Sequence, residues 1–130
     1  MENTFQITAV VDPEENYFDR QELIEDWSQE KISNAKVIVV GAGAIGNESL
    51  KNLCLLGVGH LFIIDFDTIS TSNLSRTVLF RKGDQGQQKA ALAAQRVKEM
   101  ALASDIKVDW FHGDAVRDLG AGVFRCADIV

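Results

Sequence analysis

The chain has 130 residues, enough for one domain that buries about two-thirds of its unfolded surface. Hydrophobic residues make up 46% and charged residues 25%, which is typical of a globular protein and excludes a disordered or collagen-like chain. Nineteen Asp and Glu against thirteen Lys and Arg give a net charge of −6. Because no basic surface is available to hold phosphodiesters, we do not expect a nucleic acid as the main ligand.

Neither a membrane nor a secretion route is indicated. The longest apolar runs, 37–40 and 61–64, are far shorter than the ~20 residues that cross a bilayer. The first residues lack the positive region and long apolar core of a secretion signal. Cys54 and Cys126 make neither a disulfide framework nor a Cys-x-x-Cys pair. We therefore expect a cytoplasmic protein without a membrane partner.

The first predicted elements are a helix and a buried strand. Apolar residues recur at helical spacing over 21–31, with acidic residues on the opposite side, and Asn34 is expected to end this helix. Residues 37–40 are all β-branched, without polar alternation. Such a run predicts a central parallel strand that is covered on both faces.

Strands and helices alternate over the rest of the chain, which is typical of βαβ units. We expect a helix from the glycines at 41–46 to residue 56, a strand at 60–66, a helix at 85–103, a strand at 105–111, and the opening of a fourth strand at 126–130. Asp84 and Gln87 predict a capping box for the second of these helices. Because three or four strands leave one side of such a sheet open, we expect a fragment of a longer protein or a partner that completes the sheet.

A glycine-rich turn, residues 41–46, follows the first strand and precedes a helix. In this context Gly41 permits a tight turn, Gly43 lets a nucleotide approach the backbone, and Gly46 allows close helix packing. The helix that starts near Ala44 offers unpaired N–H groups and a positive potential to phosphates. Glycines at such turns also occur for steric reasons alone, but the flanking elements favour nucleotide binding, with these four residues as cofactor ligands.

Two acids end the second strand. Asp65 follows Gly46 by nineteen residues, where a carboxylate can accept hydrogen bonds from ribose hydroxyls. Asp67 either faces the same side as Asp65 or caps the following loop, and the spacing does not decide between the two. The fold predicted from these features is a Rossmann-like, doubly wound, mainly parallel α/β sheet with strand order 3-2-1-4, truncated at the fourth strand.

The polar residues Asn73, Arg76 and Lys89 favour ATP over a nicotinamide cofactor. Dinucleotide binders hold pyrophosphate mainly with backbone groups, whereas breaking a triphosphate requires fixed cations where charge builds up. The topology would bring both cations to the mouth of the sheet. A generic NAD-binding oxidoreductase remains the alternative.

These motifs together resemble the ThiF/MoeB/HesA family of ubiquitin-activating-like adenylating enzymes. The resemblance rests on the glycine turn and on the following motifs: Gly57-Val58-Gly59, Asp65-Phe66-Asp67, Ser72-Asn73-Leu74-Ser75-Arg76, Gly86-Gln87-Gln88-Lys89 and, upstream, Tyr17-Phe18-Asp19-Arg20-Gln21. It covers residues 17–130, the N-terminal nucleotide-binding part of such a domain, and leaves 1–16 as an N-terminal extension.

The resemblance implies that ATP adenylates a carboxylate, typically the C-terminal glycine of a ubiquitin-fold carrier protein, and that pyrophosphate leaves. Asp65 would bind the ribose, whereas Asn73, Arg76 and Lys89 would hold the phosphates. Arg20 matches an arginine that the family supplies across a dimer interface, which implies a homodimer. Arg76, Lys89 and Arg20 are therefore the expected catalytic residues.

Two departures from the family pattern keep other functions open. Thr77 stands where the family usually has Gln, and the family's Mg²⁺-binding aspartate is expected beyond Val130, so no metal ligand is predicted within the chain. The fragment alone is expected to be inactive. The alternatives are a non-catalytic partner subunit of such an enzyme and a related dehydratase that modifies transfer RNA.

Overall fold

The computed structural model describes residues 14–130, so most of the predicted extension at 1–16 lies outside the described residues. The elements in chain order are α1 Asp19–Glu22, α2 Gln29–Asn34, β1 Lys36–Val40, α3 Ala44–Leu56, β2 His60–Asp65, a 3₁₀ helix Thr71–Ser75, α4 Lys89–Met100, β3 Lys107–His112 and α5 Ala121–Phe124. Their alternation confirms the α/β class. Within 14–130, no helix is both long and apolar enough to span a bilayer.

Three parallel strands form the sheet in the order β1-β2-β3, with Val37, Leu61 and Val108 in register. The full predicted order 3-2-1-4 is not confirmed. Ile129 makes one parallel bridge to Val37, and its carbonyl accepts the N–H of Ile38 at 2.9 Å. This bridge lies on the side of β1 where the fourth strand is predicted to open, but a single bridge is not a strand, so the fourth strand is not confirmed.

The hydrophobic core lies between one face of the sheet and the two long helices. Helices α3 and α4 contact each other and share one buried cluster, which includes Leu50, Leu61, Ile63, Val97 and Val108. The opposite face carries Ile38 and Phe62 and borders a groove that residues near α5 also line. The predicted doubly wound arrangement, with helices on both faces, is therefore not confirmed in the described part of the chain.

The predicted helix over 21–31 is wrong, because the chain turns in its middle. Helix α1 ends at Glu22, Asp26 adopts a positive φ of 64°, and Ser28 begins α2 by accepting the N–H of Lys31 at 3.3 Å. Leu23, one of the apolar residues of the predicted helix, is 81% exposed. The end of α2 at Asn34 agrees with the prediction.

The predicted capping box between Asp84 and Gln87 does not form, and α4 begins at Lys89. The carboxylate of Asp84 accepts the N–H of Arg81 at 2.7 Å instead. The segment before α4 pairs through its backbone with the segment after β2. The N–H of Ile69 donates to Gln87 O, and the N–H of Gly86 donates to Ile69 O, both at 2.8 Å. This pairing holds the start of α4 at the carboxyl end of the sheet.

Candidate functional site

The glycine turn, residues 41–46, lies between β1 and α3 and depends on two of its glycines. Gly41 has a φ of +95°, a conformation that side chains other than glycine's rarely adopt, and its N–H donates to Ile64 O at 2.7 Å. A Cβ on Gly46 would lie 1.9 Å from the carbonyl oxygen of Gly41. Any side chain at position 46 would therefore overlap the backbone of Gly41, and glycine is needed there for the turn to pack against α3.

The other half of the glycine turn is open to a ligand. A Cβ on Gly43 would meet no atom within 4 Å, and Ala44 is the first residue of α3. The first amides of a helix have no intrahelical acceptor and carry a positive potential, so this end of the 13-residue α3 suits an anion. A groove of about 610 Å³ runs beside the turn along β1.

Asp65 fixes the glycine turn to the end of β2. Its side chain is buried, with Oδ2 accepting the N–H of Ala42 and Oδ1 accepting the N–H of Asp67, both at 2.7 Å. Each carboxylate oxygen keeps a second lone pair, so a ribose hydroxyl could still donate to it. The contacts that the structure shows are to the backbone.

Asp67 and Lys89 form an ion pair at the same end of the sheet. Lys89 Nζ lies 3.1 Å from Asp67 Oδ2, and the N–H of Lys89 donates to Asp67 O at 3.0 Å. The lysine side chain is only 10% exposed, whereas that of Asp67 is 53% exposed. We call the hydrogen bonds that join Ala42 to Asp65, Asp65 to Asp67 and Asp67 to Lys89 the Asp65–Lys89 network.

Asn73 and Arg76 lie together on the 3₁₀ helix and just after it, but their contacts are local. The buried Asn73 accepts the N–H of Ser70 at 2.9 Å, and the exposed Arg76 donates from Nη1 to Ser72 O at 2.7 Å. Thr77, the departure from the family pattern, is buried and donates to Asn73 O at 2.8 Å. No hydrogen bond within 14–130 joins Arg76 to the Asp65–Lys89 network.

Arg20 is exposed on α1 and forms no ion pair with any other residue in the described range. The structure thus joins Asp65, Asp67 and Lys89 to the glycine turn and leaves the guanidinium groups of Arg20 and Arg76 exposed. The sequence alone left open whether Asp67 faces the same side as Asp65 or caps the following loop. In the structure the Asp67 side chain forms an ion pair with Lys89.

Sequence reasoning missed Asn47, which is fully buried in α3. Its Nδ2 donates to Ala42 O at 2.8 Å and to Gly43 O at 2.9 Å, and its Oδ1 accepts the N–H of Leu79 at 2.9 Å. The sequence does contain a signal for Asn47: a polar amide lies at helical spacing from Leu50 and Cys54, on the side of α3 that is buried in the core.

Two pKa shifts near these elements have clear causes. The N–H groups of Val116 and Arg117 donate to Asp114, after β3, and lower the pKa of that carboxyl below its ordinary value. Burial raises the pKa of the Cys54 thiol, whose Sγ lies 3.3 Å from Val97 O in the core. A thiol that is buried and protonated suits packing better than nucleophilic chemistry.

The side chains that the structure describes do not form a Mg²⁺ site. Within 14–130, no three His, Cys, Asp or Glu side chains lie close enough together to hold a metal ion. The oxygens of Asp65 accept backbone N–H groups, and Asp67 is paired with an ammonium group. The magnesium ligand expected beyond Val130 therefore stays a prediction.

A parallel sheet whose first strand leads through a glycine turn into a helix, with an acid at the end of the next strand, defines a Rossmann-like α/β domain. The chain belongs to the ThiF family, whose model matches residues 18–130.

Two similar proteins that are named as activating enzymes are much longer than this chain. The chain is 43% identical over 102 residues to SUMO-activating enzyme subunit 2 of Dictyostelium discoideum, covering 78% of this chain and 15% of that protein. It is 39% identical over 101 residues to the NEDD8-activating enzyme E1 catalytic subunit of Caenorhabditis elegans, covering 78% of this chain and 23% of that protein. The crystal structure of E. coli MccB with ATP matches with a TM-score of 0.63 at 34% identity, covering 67% of this chain and 25% of MccB. The chain thus spans a quarter or less of each.

Proposed function

We propose that this chain is the ATP-binding part of an adenylating enzyme that activates the C-terminal carboxylate of a ubiquitin-fold protein. The carboxylate oxygen would attack the α-phosphorus of ATP, forming the acyl adenylate and breaking the bond to pyrophosphate, which leaves. The observation that carries the proposal is the Asp65–Lys89 network, because it fixes a nearly buried ammonium group and the glycine turn to the same strand end.

Each part of the network has a role in this reaction. Asp65 holds the backbone of the turn, whose amides and helix end would accept phosphate oxygens. An ammonium group has three donors, and Lys89 uses one of them on Asp67, so the others remain for phosphates. Arg76, exposed beside the 3₁₀ helix, would add charge as pyrophosphate departs. Asn73 would add an amide at the same phosphates.

The relatives support the class of substrate and the nucleotide. Their names describe activation of SUMO and NEDD8, and MccB has been crystallised with ATP. We include in the proposal a ubiquitin-fold protein partner, a homodimer and a cytoplasmic location. Arg20 would act on the neighbouring protomer's nucleotide, since its guanidinium is exposed and unpaired within 14–130.

Exchange of labelled pyrophosphate into ATP by the intact protein, with a panel of ubiquitin-fold carriers, tests the reaction. We expect Lys89→Gln to lower the exchange rate about 100-fold, because the variant removes a fixed cation from the reacting phosphates. Lys82→Gln, the same change at an exposed position seven residues earlier, in the connection before α4, is the control.

Equal exchange by the two lysine variants would contradict the assigned role of Lys89. Absence of exchange by the wild-type protein with every carrier would contradict the proposed function. Titration with NAD and ATP addresses the oxidoreductase alternative, which preferential binding of NAD would support.

Mixing two inactive variants tests the role of Arg20. In a mixed dimer, the site on the Arg20→Ala subunit keeps its own Lys89 and receives Arg20 from the Lys89→Gln subunit. If Arg20 serves the neighbouring site, this site is intact, and the other site of the dimer lacks both residues. We expect the equimolar mixture to recover about a quarter of the wild-type exchange rate. Variants that stay inactive after mixing and subunit exchange, although each forms dimers in sedimentation, would contradict the prediction.

A further inference from the structure

Asn47 joins two segments that approach the candidate site from different parts of the chain. One segment is the glycine turn, where Asn47 contacts the carbonyl oxygens of Ala42 and Gly43. The other follows the 3₁₀ helix, where Asn47 accepts the N–H of Leu79. We call these three hydrogen bonds the Asn47 link. All are made by one amide that is fully buried.

The Asn47 link orients the amides of the glycine turn. A trans peptide unit is planar, and its C=O and N–H groups point in opposite directions. With the carbonyls of Ala42 and Gly43 directed at Asn47, the N–H groups of the same two peptide units, those of Gly43 and Ala44, point away from Asn47. A Cβ on Gly43 would meet no atom within 4 Å, so a ligand can approach the turn there.

The Asn47 link also fixes the segment that carries Asn73 and Arg76. Leu79 is buried, and so is Thr77, which donates to Asn73 O at 2.8 Å. The position of the 3₁₀ helix relative to the glycine turn is therefore held by buried hydrogen bonds at its end. Because an unpaired buried N–H at Leu79 would be costly, this spacing is well determined.

We propose that Asn47 is a positioning residue that sets the distance between the glycine turn and the Asn73–Arg76 segment, and thereby the rate of adenylation. Asn47 does not touch the reacting atoms; it acts through the backbone of both segments. The inference rests on the proposed function, because it assigns the turn and Arg76 to the same triphosphate. A displacement of about 1 Å between reacting groups is enough to lower a rate about 100-fold.

Two substitutions each remove one end of the Asn47 link. Asn47→Asp keeps an acceptor for Leu79 N–H but cannot donate to the carbonyls of the turn. Asn47→Ser keeps a hydroxyl that can donate one helical turn back to Gly43 O but no longer reaches Leu79. Asn52 lies on the exposed side of α3, so Asn52→Asp and Asn52→Ser are matched controls.

Pyrophosphate exchange is measured with the intact protein below the unfolding midpoint of every variant. We expect both Asn47 variants to lower kcat at least tenfold, with KM for ATP raised in Asn47→Asp and within twofold of wild type in Asn47→Ser. The Asn52 variants should match the wild type in both constants. A purely structural role would lower the unfolding midpoint and leave kcat per folded molecule unchanged. Equal kcat for Asn47→Ser and Asn52→Ser overturns the inference.

Amide NMR spectra separate this inference from the proposed function. If the wild-type protein shows no exchange, the proposed function fails, and the resonances of Asn47→Ser decide the positioning role. Shifts at both Gly43 and Arg76 that are absent in Asn52→Ser support it. Shifts confined to one of the two segments overturn it.

Discussion

Gly46→Ala is expected to disrupt the glycine turn and to abolish ATP binding. The added Cβ would lie 1.9 Å from the carbonyl oxygen of Gly41 and 2.9 Å from its carbon. Both atoms belong to the backbone, so no side-chain rotation can relieve the overlap, and the turn must move away from α3. We expect a loss of about 3 kcal/mol in the free energy of unfolding, measured by denaturant titration.

Gly43→Ala is the matched substitution for separating packing from ligand contact. A Cβ at position 43 meets no atom within 4 Å, and the backbone there has a φ of −81°, which alanine adopts without strain. Its stability should stay within about 0.5 kcal/mol of the wild type, while ATP affinity falls if phosphates approach the turn at this point. Equal unfolding free energies for the two variants would contradict the packing assigned to Gly46.

The sequence predicted the type and place of β1 and α3, and Gly57, with its φ of 85°, ends α3 where expected. The prediction that β1 is a central strand covered on both faces is not confirmed, because in the described residues β1 pairs along its length only with β2 and Val40 is 53% exposed. Two helix predictions failed at turns. Asp26 interrupts the predicted first helix with a positive φ, and the backbone pairing of Ile69 with Gln87 replaces the first turn of the predicted α4. Neither competing interaction has a periodic signature.

Motif spacing located the candidate site better than it described the contacts there. The positions of Asp65 and Lys89 at the carboxyl end of the sheet follow from the βαβ order. That Asp65 holds the N–H of Ala42, 23 residues away, could not be read from spacing, because it depends on how β2 meets the turn. The bond of Asn47 to Leu79 spans 32 residues and is equally a product of tertiary packing.

Asp65→Asn is expected to weaken both the fold and nucleotide binding. The carboxylate accepts two backbone N–H groups at 2.7 Å, one on each oxygen. An amide offers one oxygen and directs an NH₂ group at the second N–H, so one buried donor loses its acceptor. We expect a loss of about 1–3 kcal/mol in the free energy of unfolding. Asp105→Asn removes the same charge at an exposed position before β3 and should leave stability unchanged.

Comparing two ligands shows how Asp65 acts on the nucleotide. If its main role were a direct contact with the ribose, Asp65→Asn would weaken ATP and leave inorganic tripolyphosphate, which has no sugar, unaffected. Because both carboxylate oxygens hold the backbone around the glycine turn, we expect the affinity for both ligands to fall by about tenfold, the equivalent of one charge-assisted hydrogen bond. Calorimetric titration of wild type, Asp65→Asn and Asp105→Asn with each ligand measures this. A loss confined to ATP would show that the ribose contact, and not the geometry of the turn, is what Asp65 contributes.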